Sequence, residues 1–310
     1  MAERKCDDWG IVAPAVRFRC NVCGSLCAPE RFATEPPSCA CGSNVRIRAL
    51  IHLLSIELFG RSIALIDFPR LKSIRGLGMS DEPGYARILE DKFEYTNTYY
   101  HREPRLDVTE ANTESYGSYD FILCADVLEH IAPPIGGALS EMFRLLKPRG
   151  FLGLTIFCNP QDRMKEHFPE LNEYRVVPLG DAAVLINRRR DGSLEIRDDL
   201  VFHGGQGAIL EMREFGITAL RSELSQAGFK DFEFLAEDVP ENGIVFDHDV
   251  SQPLIARKEP FSLPRSAVSQ LVGDWMQMRD QWKGDDERIR AAAQSKWVRL
   301  GRRLGLGPKL

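Results

Sequence analysis

Two stretches of the chain decide its fold: residues 119–130 read YDFILCADVLEH, and residues 145–156 read LLKPRGFLGLTI. The first opens with an apolar run that is too short for a helix and suits a strand buried on both faces. Apolar residues at helical spacing follow and end at Lys147 and Pro148, and a second apolar run begins at Phe151. The order strand, acidic loop, helix, strand predicts one βαβ unit of a parallel sheet. Since ligands of such sheets bind beyond the carboxyl ends of the strands, residues 125–130 lie where chemistry is expected.

The composition of the chain is that of a globular protein. Of its 310 residues 44% are hydrophobic and 27% are charged, and this length suffices for a sizeable core. A net charge of -5 gives no reason to expect nucleic acid as a partner. No apolar stretch approaches the roughly 18 residues that span a bilayer, and the first residues lack the apolar core of a signal peptide. We therefore expect a cytoplasmic enzyme or binding protein, whose eight cysteines stay reduced or hold a metal.

Four of these cysteines form two close pairs with the spacing C-x2-C-x15-C-x-C. They are Cys20, Cys23, Cys39 and Cys41. A glycine follows each pair, and two such turns suit tetrahedral thiolate ligation of Zn²⁺ at a closed, structural site. Because the C-x-C half is tighter than the usual C-x2-C, Cys27 is an alternative ligand, and a set of free thiols is the alternative to a metal. The pattern predicts a small zinc-binding module over residues 1–45, in which we expect no catalysis.

Helical and strand patterns alternate through the middle of the chain. Residues 44–59 predict an amphipathic helix, in which His52 is interpreted as a packing or surface histidine. The run SIRGLGM contains Gly76 and Gly78 and precedes a helix capped by Ser80 or Asp81. Glycines at the end of a strand let a ligand approach the backbone closely, and an ordinary tight turn is the alternative interpretation.

Later patterns complete an α/β chain. Residues 93–101 predict the next strand, and a hairpin is predicted with its turn at residues 190–192. A helix is predicted over residues 211–227, followed by two more strands. The alternation predicts an α/β fold with a mostly parallel sheet over residues 46–259.

The end of the chain, residues 260–310, is helical in composition. It has an acidic middle and a basic end that carries Trp297, Leu300 and Arg302. This end predicts a peripheral contact with a membrane surface or a protein partner. A solvated helix, or one docked on its own domain, is the alternative.

The quoted residues resemble those of a known family. YDFILCADVLEHI followed by LLKPRGFLGLTI is similar to the fourth-strand and fifth-strand motifs of class I S-adenosylmethionine-dependent methyltransferases of the type 11 group. SQAGFKDFEF and PLIARKE resemble the last two strands of that fold, so the similarity spans about residues 47–259. The cysteine-rich start resembles a zinc-ribbon-like extension on some members. EHFPEL, VFHGGQGAILEMREF and the tail resemble bacterial members associated with surface-polysaccharide assembly.

The resemblance implies a Rossmann-like, seven-stranded sheet with helices on both faces and S-adenosylmethionine over the strand ends. The cofactor-binding residues that it implies by position are Gly76, Gly78, Asp107, Ala125 and Asp126. Two segments depart from the family pattern. The glycine loop reads RGLGMSDEPG, and the second strand ends in aromatic residues where an acid is usual, so Tyr99 could stack on adenine instead.

Methyl transfer requires a positioned acceptor and a base for its proton. His130 and His203 are the predicted bases, because an imidazole titrates near pH ~6.5, and Asp126 is the third predicted catalytic residue. Asp126, Glu129 and His130 form D-x-x-E-H, whose members could converge at the start of a helix. Either Glu129 and His130 cap the following helix, or they bind a divalent cation with His203.

The sequence therefore predicts a methyltransferase that acts on an oxygen or nitrogen of a small-molecule or glycan acceptor, with surface-polysaccharide biosynthesis as the implied context. The alternative is a non-catalytic scaffold with the same fold, which docks through its zinc module and tail. Modification of nucleic acid through the zinc module is a third hypothesis, and the acidic balance of the chain disfavours it.

Overall fold

The structure, a computed structural model, describes residues 17–28, 38–159, 162–180, 182–203, 209–246 and 253–294. The chain divides into two compact units, Met1–Ser262 and Leu263–Leu310. The glycine-rich loop at residues 204–207 and the basic end around Trp297 lie outside the described residues, so the predictions made for them stay predictions.

Five helices and fifteen strands are present in the described residues. The helices are α1 (Val45–Phe59), α2 (Pro83–Lys92), α3 (Ile135–Leu145), α4 (Ile217–Ala227) and α5 (Arg265–Gln294). The strands are β1 (Phe18–Arg19), β2 (Leu26–Cys27), β3 (Leu71–Met79), β4 (Phe93–Thr98), β5 (Tyr119–Ala125), β6 (Leu146–Thr155), β7 (Lys165–Glu166), β8 (Glu173–Leu179), β9 (Ala182–Arg188), β10 (Leu194–Arg197), β11 (Phe202–His203), β12 (Ile209–Leu210), β13 (Arg213–Glu214), β14 (Asp231–Phe234) and β15 (Leu254–Arg257).

Six strands form the main sheet, in the order β4-β3-β5-β6-β15-β14. The first four run parallel, and β15 is antiparallel to both of its neighbours. The predicted Rossmann-like fold with a mostly parallel sheet is therefore confirmed. The described residues give this sheet six strands where seven were expected. Beyond β4 the chain makes only an isolated bridge between Tyr99 and Arg105 before it turns at Asp107.

Helices cover both faces of the sheet. On one face α3 and α4 contribute Leu139, Met142 and Leu220 to a buried cluster that contains Ile122 of β5 and Leu152 of β6. On the other face α1 packs on β6 and β15. The buried apolar area of both faces supplies the main driving force for folding, at roughly 25 cal/mol per Å².

Arg257 of β15 ties the last two strands to α1. Its guanidinium binds Glu57 of α1, and it lies 2.9 Å from Asp231 and 2.5 Å from Glu233 of β14. Hydrogen bonding to Glu57, the largest effect, raises the pKa of Arg257. Since β15 is inserted between β14 and β6, this cluster locks the antiparallel edge of the sheet to a helix.

Between β6 and α4 the chain forms an antiparallel insert, which we define as residues 162–215. Strands β8, β9 and β10 form a three-stranded sheet, and β7 pairs with β13 and β11 with β12. The hairpin predicted at residues 190–192 is confirmed as β9–β10, with Gly192 at φ 86°. The helix predicted over residues 211–227 begins only at Ile217, because the strands β12 and β13 occupy the preceding residues.

The second unit is described as a single helix, α5. Several large apolar side chains on it are exposed, including those of Trp275 and Trp282. No helix in the described part of the chain is long and apolar enough to cross a membrane.

Candidate active site and metal centre

The four predicted zinc ligands lie together. The Sγ atoms of Cys20, Cys23, Cys39 and Cys41 all lie within 4.8 Å of one another. Two of these separations are 3.8 Å, from Cys20 to Cys41, and 3.6 Å, from Cys23 to Cys39. Such separations fit a tetrahedron of thiolates around a metal with Zn–S bonds of about 2.3 Å. Cys27 is not a member of this group. The residues present therefore fit a Zn²⁺ ion, and the alternative ligand Cys27 is not needed.

Arg48 of α1 fixes the cysteine site to the rest of the fold. Its side chain is buried and donates hydrogen bonds to the Ser43 carbonyl at 2.9 Å and the Gly243 carbonyl at 2.7 Å. Its guanidinium also lies 4.6 Å from the centre of the Phe18 ring. Burial, the largest effect, lowers the pKa of Arg48. The hydrogen bond to Ser43 thus ties the segment that follows the second cysteine pair to α1.

The first turn of α1 connects the cysteine site to the carboxyl ends of the sheet. Asn44 caps the helix, since its side chain accepts from the Ile47 N–H at 2.9 Å. Arg46 Nη1 lies 2.7 Å from Asp126 Oδ2, and Thr155 Oγ1 donates to Asp126 Oδ1 at 3.1 Å. Both charged side chains are largely buried. The pair therefore fixes the direction of Asp126, the residue directly after β5.

Gly76 and Gly78 lie inside β3, so their predicted position at the end of the strand is wrong. A Cβ atom at Gly76 would collide with the rings of Tyr95 and Phe121, and one at Gly78 would collide with Tyr95 and Asp81. These glycines make room for side chains packed on the sheet. The RGLGM run matched the spacing of a glycine loop, but the strand continues through it.

The loop that follows β3 comprises residues 80–82. Ser80 adopts a left-handed conformation with φ 59°, and its N–H donates to the Thr98 carbonyl at 2.7 Å. The Asp81 N–H donates to Asn97 Oδ1 at 2.9 Å. Strand β4 therefore holds the backbone of this loop at the carboxyl edge of the sheet.

Helix α2 begins directly after this loop. Pro83 occupies the first turn as predicted, but the capping residue is Glu82, whose carboxylate accepts from the Gly84 N–H at 2.9 Å. Ser80 and Asp81 do not cap α2, because the loop backbone turns them toward β4. A Cβ atom at Gly84 would lie 2.6 Å from the Cys41 carbonyl oxygen. The C-x-C loop therefore rests against the start of α2, and only a glycine fits there.

Asp81 is a buried carboxyl at the same edge. The Tyr85 hydroxyl donates to it at 2.6 Å, and the Tyr95 hydroxyl also donates to it. Burial raises the pKa of Asp81 to about 6, although both hydroxyl groups favour the ionised form.

Glu129 is the residue whose importance the sequence did not show. Its side chain is buried, and neither carboxyl oxygen has a hydrogen-bond partner among the described residues. Burial, and next the charge of Asp126, raise the pKa of Glu129 to about 8. Glu129 and His130 were interpreted as residues that cap the following helix and hold the shape of the loop. The capping is wrong, because α3 begins at Ile135 with no side-chain cap, whereas the His130 side chain and the Glu129 carbonyl do bind the insert. No spacing signal distinguishes an unpartnered buried glutamate from a capping one.

His130 faces the insert. Its Nδ1 lies 3.0 Å from the Leu210 carbonyl, so Nδ1 is the donor of this hydrogen bond. His203 belongs to β11, where it lies opposite Ile209, and its side chain lies outside the described residues. Leu210, whose carbonyl accepts from the His130 side chain, pairs with Phe202, the residue before His203.

The insert binds backbone carbonyls of the loop that follows β5. The Met212 N–H donates to the Glu129 carbonyl at 2.7 Å. The buried Arg213 side chain donates to the carbonyls of Leu128 at 2.7 Å and Ile131 at 2.6 Å. These bonds fix the loop firmly and leave the Glu129 carboxyl unused. In the described residues Asp126, Glu129 and His130 do not converge into a metal-binding group.

Of the remaining predicted cofactor residues, Tyr99 directly follows β4, Ala125 ends β5, and Asp107 lies in a turn between the two strands. Arg102 lies 3.8 Å from the centre of the Tyr99 ring, so one face of that ring is already covered. The Asp107 carboxylate accepts from the N–H and the hydroxyl of Thr109 at 3.0 Å and 2.6 Å. The ends of β4 and β5 lie at the edge where ligands of parallel sheets bind.

Comparison with known proteins identifies the family. The profile of a family described as methyltransferase domain matches residues 50–233, more than half of the chain. The chain belongs to this methyltransferase family, as its strand motifs predicted. Among curated proteins none matches it significantly.

Solved structures show a distant similarity. The citrinin polyketide synthase CMeT domain is 14% identical over 60% of this chain and 46% of that chain, with a TM-score of 0.36. An S-adenosylmethionine-dependent methyltransferase from Clostridium acetobutylicum is 13% identical over 59% of this chain and 83% of that chain, with a TM-score of 0.36. The Burkholderia thailandensis 1,6-didemethyltoxoflavin-N1-methyltransferase, with bound substrate and S-adenosylhomocysteine, is 16% identical over 79% and 97%, with a TM-score of 0.33. Because the similarity is this distant, the chemistry of the chain has to be argued from its own residues.

Proposed function

We propose that the chain is an S-adenosylmethionine-dependent methyltransferase whose cofactor binds at the carboxyl ends of β3, β4 and β5. The observation that carries the proposal is the buried Glu129 carboxyl, which lacks a hydrogen-bond partner in the described residues. A second carboxyl, that of Asp126, lies near it and is paired with Arg46. A buried carboxyl without a hydrogen-bond partner suits a cationic ligand. The sulfonium and ammonium groups of S-adenosylmethionine are such cations.

The cofactor residues proposed from the family pattern divide into two groups. Ala125 and Asp126 would lie beside the transferable methyl group, and Tyr99 and Asp107 beside the nucleoside. Support for this assignment comes from the position of Tyr99 directly after β4 and of Ala125 and Asp126 at the end of β5. When bound, S-adenosylmethionine supplies an activated methyl group, and the protein has to position an acceptor in line with it.

We propose an oxygen or nitrogen of a small molecule or glycan as the methyl acceptor. His130 is the first candidate base for the acceptor's proton, since its Nδ1 donates to the Leu210 carbonyl and the ring is thereby oriented, and His203 is the second candidate for that role. Asp126, already paired with Arg46, would position groups at the site rather than accept a proton. The place of the reaction in surface-polysaccharide biosynthesis rests on the motif resemblance alone.

Calorimetric titration of S-adenosylmethionine and S-adenosylhomocysteine tests cofactor binding. We expect both to bind. Glu129→Gln should weaken S-adenosylmethionine about tenfold, because a cation bound beside this carboxyl favours its ionised form, and should weaken S-adenosylhomocysteine, which keeps the ammonium but lacks the sulfonium charge, much less. Glu110→Gln, which changes an exposed carboxyl, is the matched control and should alter neither affinity. A folded protein that binds neither ligand would disprove the proposal.

Transfer of a radiolabelled methyl group to panels of small molecules and glycans tests catalysis. With an acceptor found, His130→Ala should lower turnover by about 10²-fold or more while S-adenosylhomocysteine affinity is retained. The non-catalytic scaffold is the better description if the cofactor binds and no panel member is methylated. Such a scaffold would bind its partner through the cysteine module and the tail.

We also propose that the four clustered cysteines hold one structural zinc ion. Metal analysis of the purified protein should find about one zinc per chain. Cys23→Ser should lose the ion, whereas Cys27→Ser should keep it, because Cys27 lies outside the ligand group. Equal loss in the two variants would contradict this ligand set.

A further inference from the structure

We propose that the cysteine module is part of the cofactor site, so that metal binding and cofactor binding are energetically coupled. This inference rests on the proposed function above. It assigns a role to a segment that sequence motifs mark only as a structural attachment.

The first contact that carries the inference joins residues 39–42, here called the metal loop, to α2. The Cys41 carbonyl packs so closely on Gly84 that a Cβ atom there would lie 2.6 Å from its oxygen. Gly42 faces the same helix start, since a Cβ atom there would lie 3.9 Å from a carboxylate oxygen of Glu82. Cys41 is a ligand of the proposed metal, and Glu82 caps the helix that follows the loop after β3. The metal loop therefore packs against the start of α2, next to the carboxyl edge of the main sheet.

The second contact runs through the first turn of α1. The Ser43 hydroxyl lies 3.3 Å from Cys41 Sγ and 3.2 Å from Cys20 Sγ, so it belongs to the immediate surroundings of the metal site. Three residues later, Arg46 pairs with Asp126 at 2.7 Å. A shift of the metal loop would thus move the guanidinium that fixes Asp126. Arg46 is a positioning residue in this arrangement.

The two contacts lie on different sides of one site. Gly84 follows β3, and Asp126 follows β5, which is the neighbouring strand. A ligand bound between these strand ends would be enclosed by the metal loop and the first turn of α1. Because binding free energies are reciprocal, a metal that tightens cofactor binding must itself be bound more tightly when the cofactor is present.

The experiment measures zinc affinity of the full chain by competition with a chromophoric chelator, with and without saturating S-adenosylhomocysteine. We expect the ligand to tighten zinc binding at least fivefold, which is within the usual range of coupling between sites. Arg46→Gln should reduce this factor to below twofold. Arg70→Gln, which breaks an ion pair of 2.7 Å with Asp91, is the matched control and should leave the factor unchanged.

A glycine pair tests the direct contact without any cofactor. Gly84→Ala should weaken zinc binding about tenfold because the added methyl group displaces the Cys41 carbonyl. Gly137→Ala, near the start of α3, should leave zinc affinity unchanged, since a Cβ atom there meets no described atom within 4 Å. Equal zinc affinities in the two variants would show that the contact does not matter.

Loss of zinc could unfold the chain and imitate coupling, so a second measurement uses the loaded, folded protein. With Co²⁺ in the cysteine site, the visible absorption of the tetrathiolate complex should change when S-adenosylhomocysteine is added. An unchanged spectrum together with calorimetrically confirmed binding would overturn the inference and leave the proposed function intact. Absence of S-adenosylhomocysteine binding would overturn both.

Discussion

Glu129 holds a proton that a surface glutamate would release well below neutral pH. Burial, followed by the nearby Asp126, raises the pKa of its carboxyl from 4.5 to about 8. The folded protein therefore binds more protons than the unfolded chain between these two values. Such a group contributes stability that is present at low pH and is lost as the pH rises through this window.

Glu129→Gln should remove that dependence. The free energy of unfolding of the unmodified protein should fall between about pH 5 and pH 8 relative to the variant, by at most ~1.4 kcal/mol per pH unit. Urea denaturation at several pH values measures the difference. Glu110→Gln should keep the original slope. Burial raises the pKa of Asp81 to about 6, and this contribution to the pH dependence is the same in both proteins. Identical slopes for the unmodified protein and Glu129→Gln would therefore contradict the assignment of the raised pKa to Glu129.

At the residue scale, the sequence predicted positions better than contacts. Asp126 directly follows β5, as the apolar run before it predicted, and the four cysteines cluster as their spacing predicted. Arg46 forms its ion pair with Asp126 rather than with Glu129, and the two residues of that pair are far apart in the sequence. Local patterns carry no information on that choice.

At the scale of elements, the two glycines of β3 have a packing role. We predict that Gly76→Ala destabilises the protein by about 1–3 kcal/mol, because its methyl group would collide with the rings of Tyr95 and Phe121. Chemical denaturation measures the loss. Gly137→Ala on a helix should instead stabilise by up to ~1 kcal/mol through helix propensity. A neutral Gly76→Ala would show that the strand tolerates a side chain there.

Strands and helices with strong local patterns were predictable. The two stretches around β5 and β6, the helix α1 and the β9–β10 hairpin were predicted from apolar periodicity and turn residues. Errors occurred where backbone groups bind distant partners. The helix was predicted from residue 211, yet residues 213–214 pair with β7, so α4 begins later. Tertiary pairing outweighs propensity at such positions.

At the scale of the whole molecule, Arg213 joins the insert to the main sheet. Its buried guanidinium donates to the carbonyls of Leu128 and Ile131 and lies 2.8 Å from Glu166. We predict that Arg213→Lys costs about 2 kcal/mol or more, because one ammonium cannot reproduce the fork of bonds. Amide hydrogen exchange should accelerate at Met212 and His130 before the rest of the sheet. Arg197→Lys, at a half-exposed ion pair with Asp199, is the control; equal effects would contradict this role.

The order of the main sheet has a consequence for synthesis of the protein on the ribosome. Strand β15 has four buried residues and separates β14 from β6. A nascent chain that has not yet released residues 254–257 leaves one side of β6 unpaired and β14 without a neighbour in this sheet. An open apolar strand edge invites association with other chains. We therefore expect nascent chains shorter than this point to depend on chaperones, and the sheet to close in one late step.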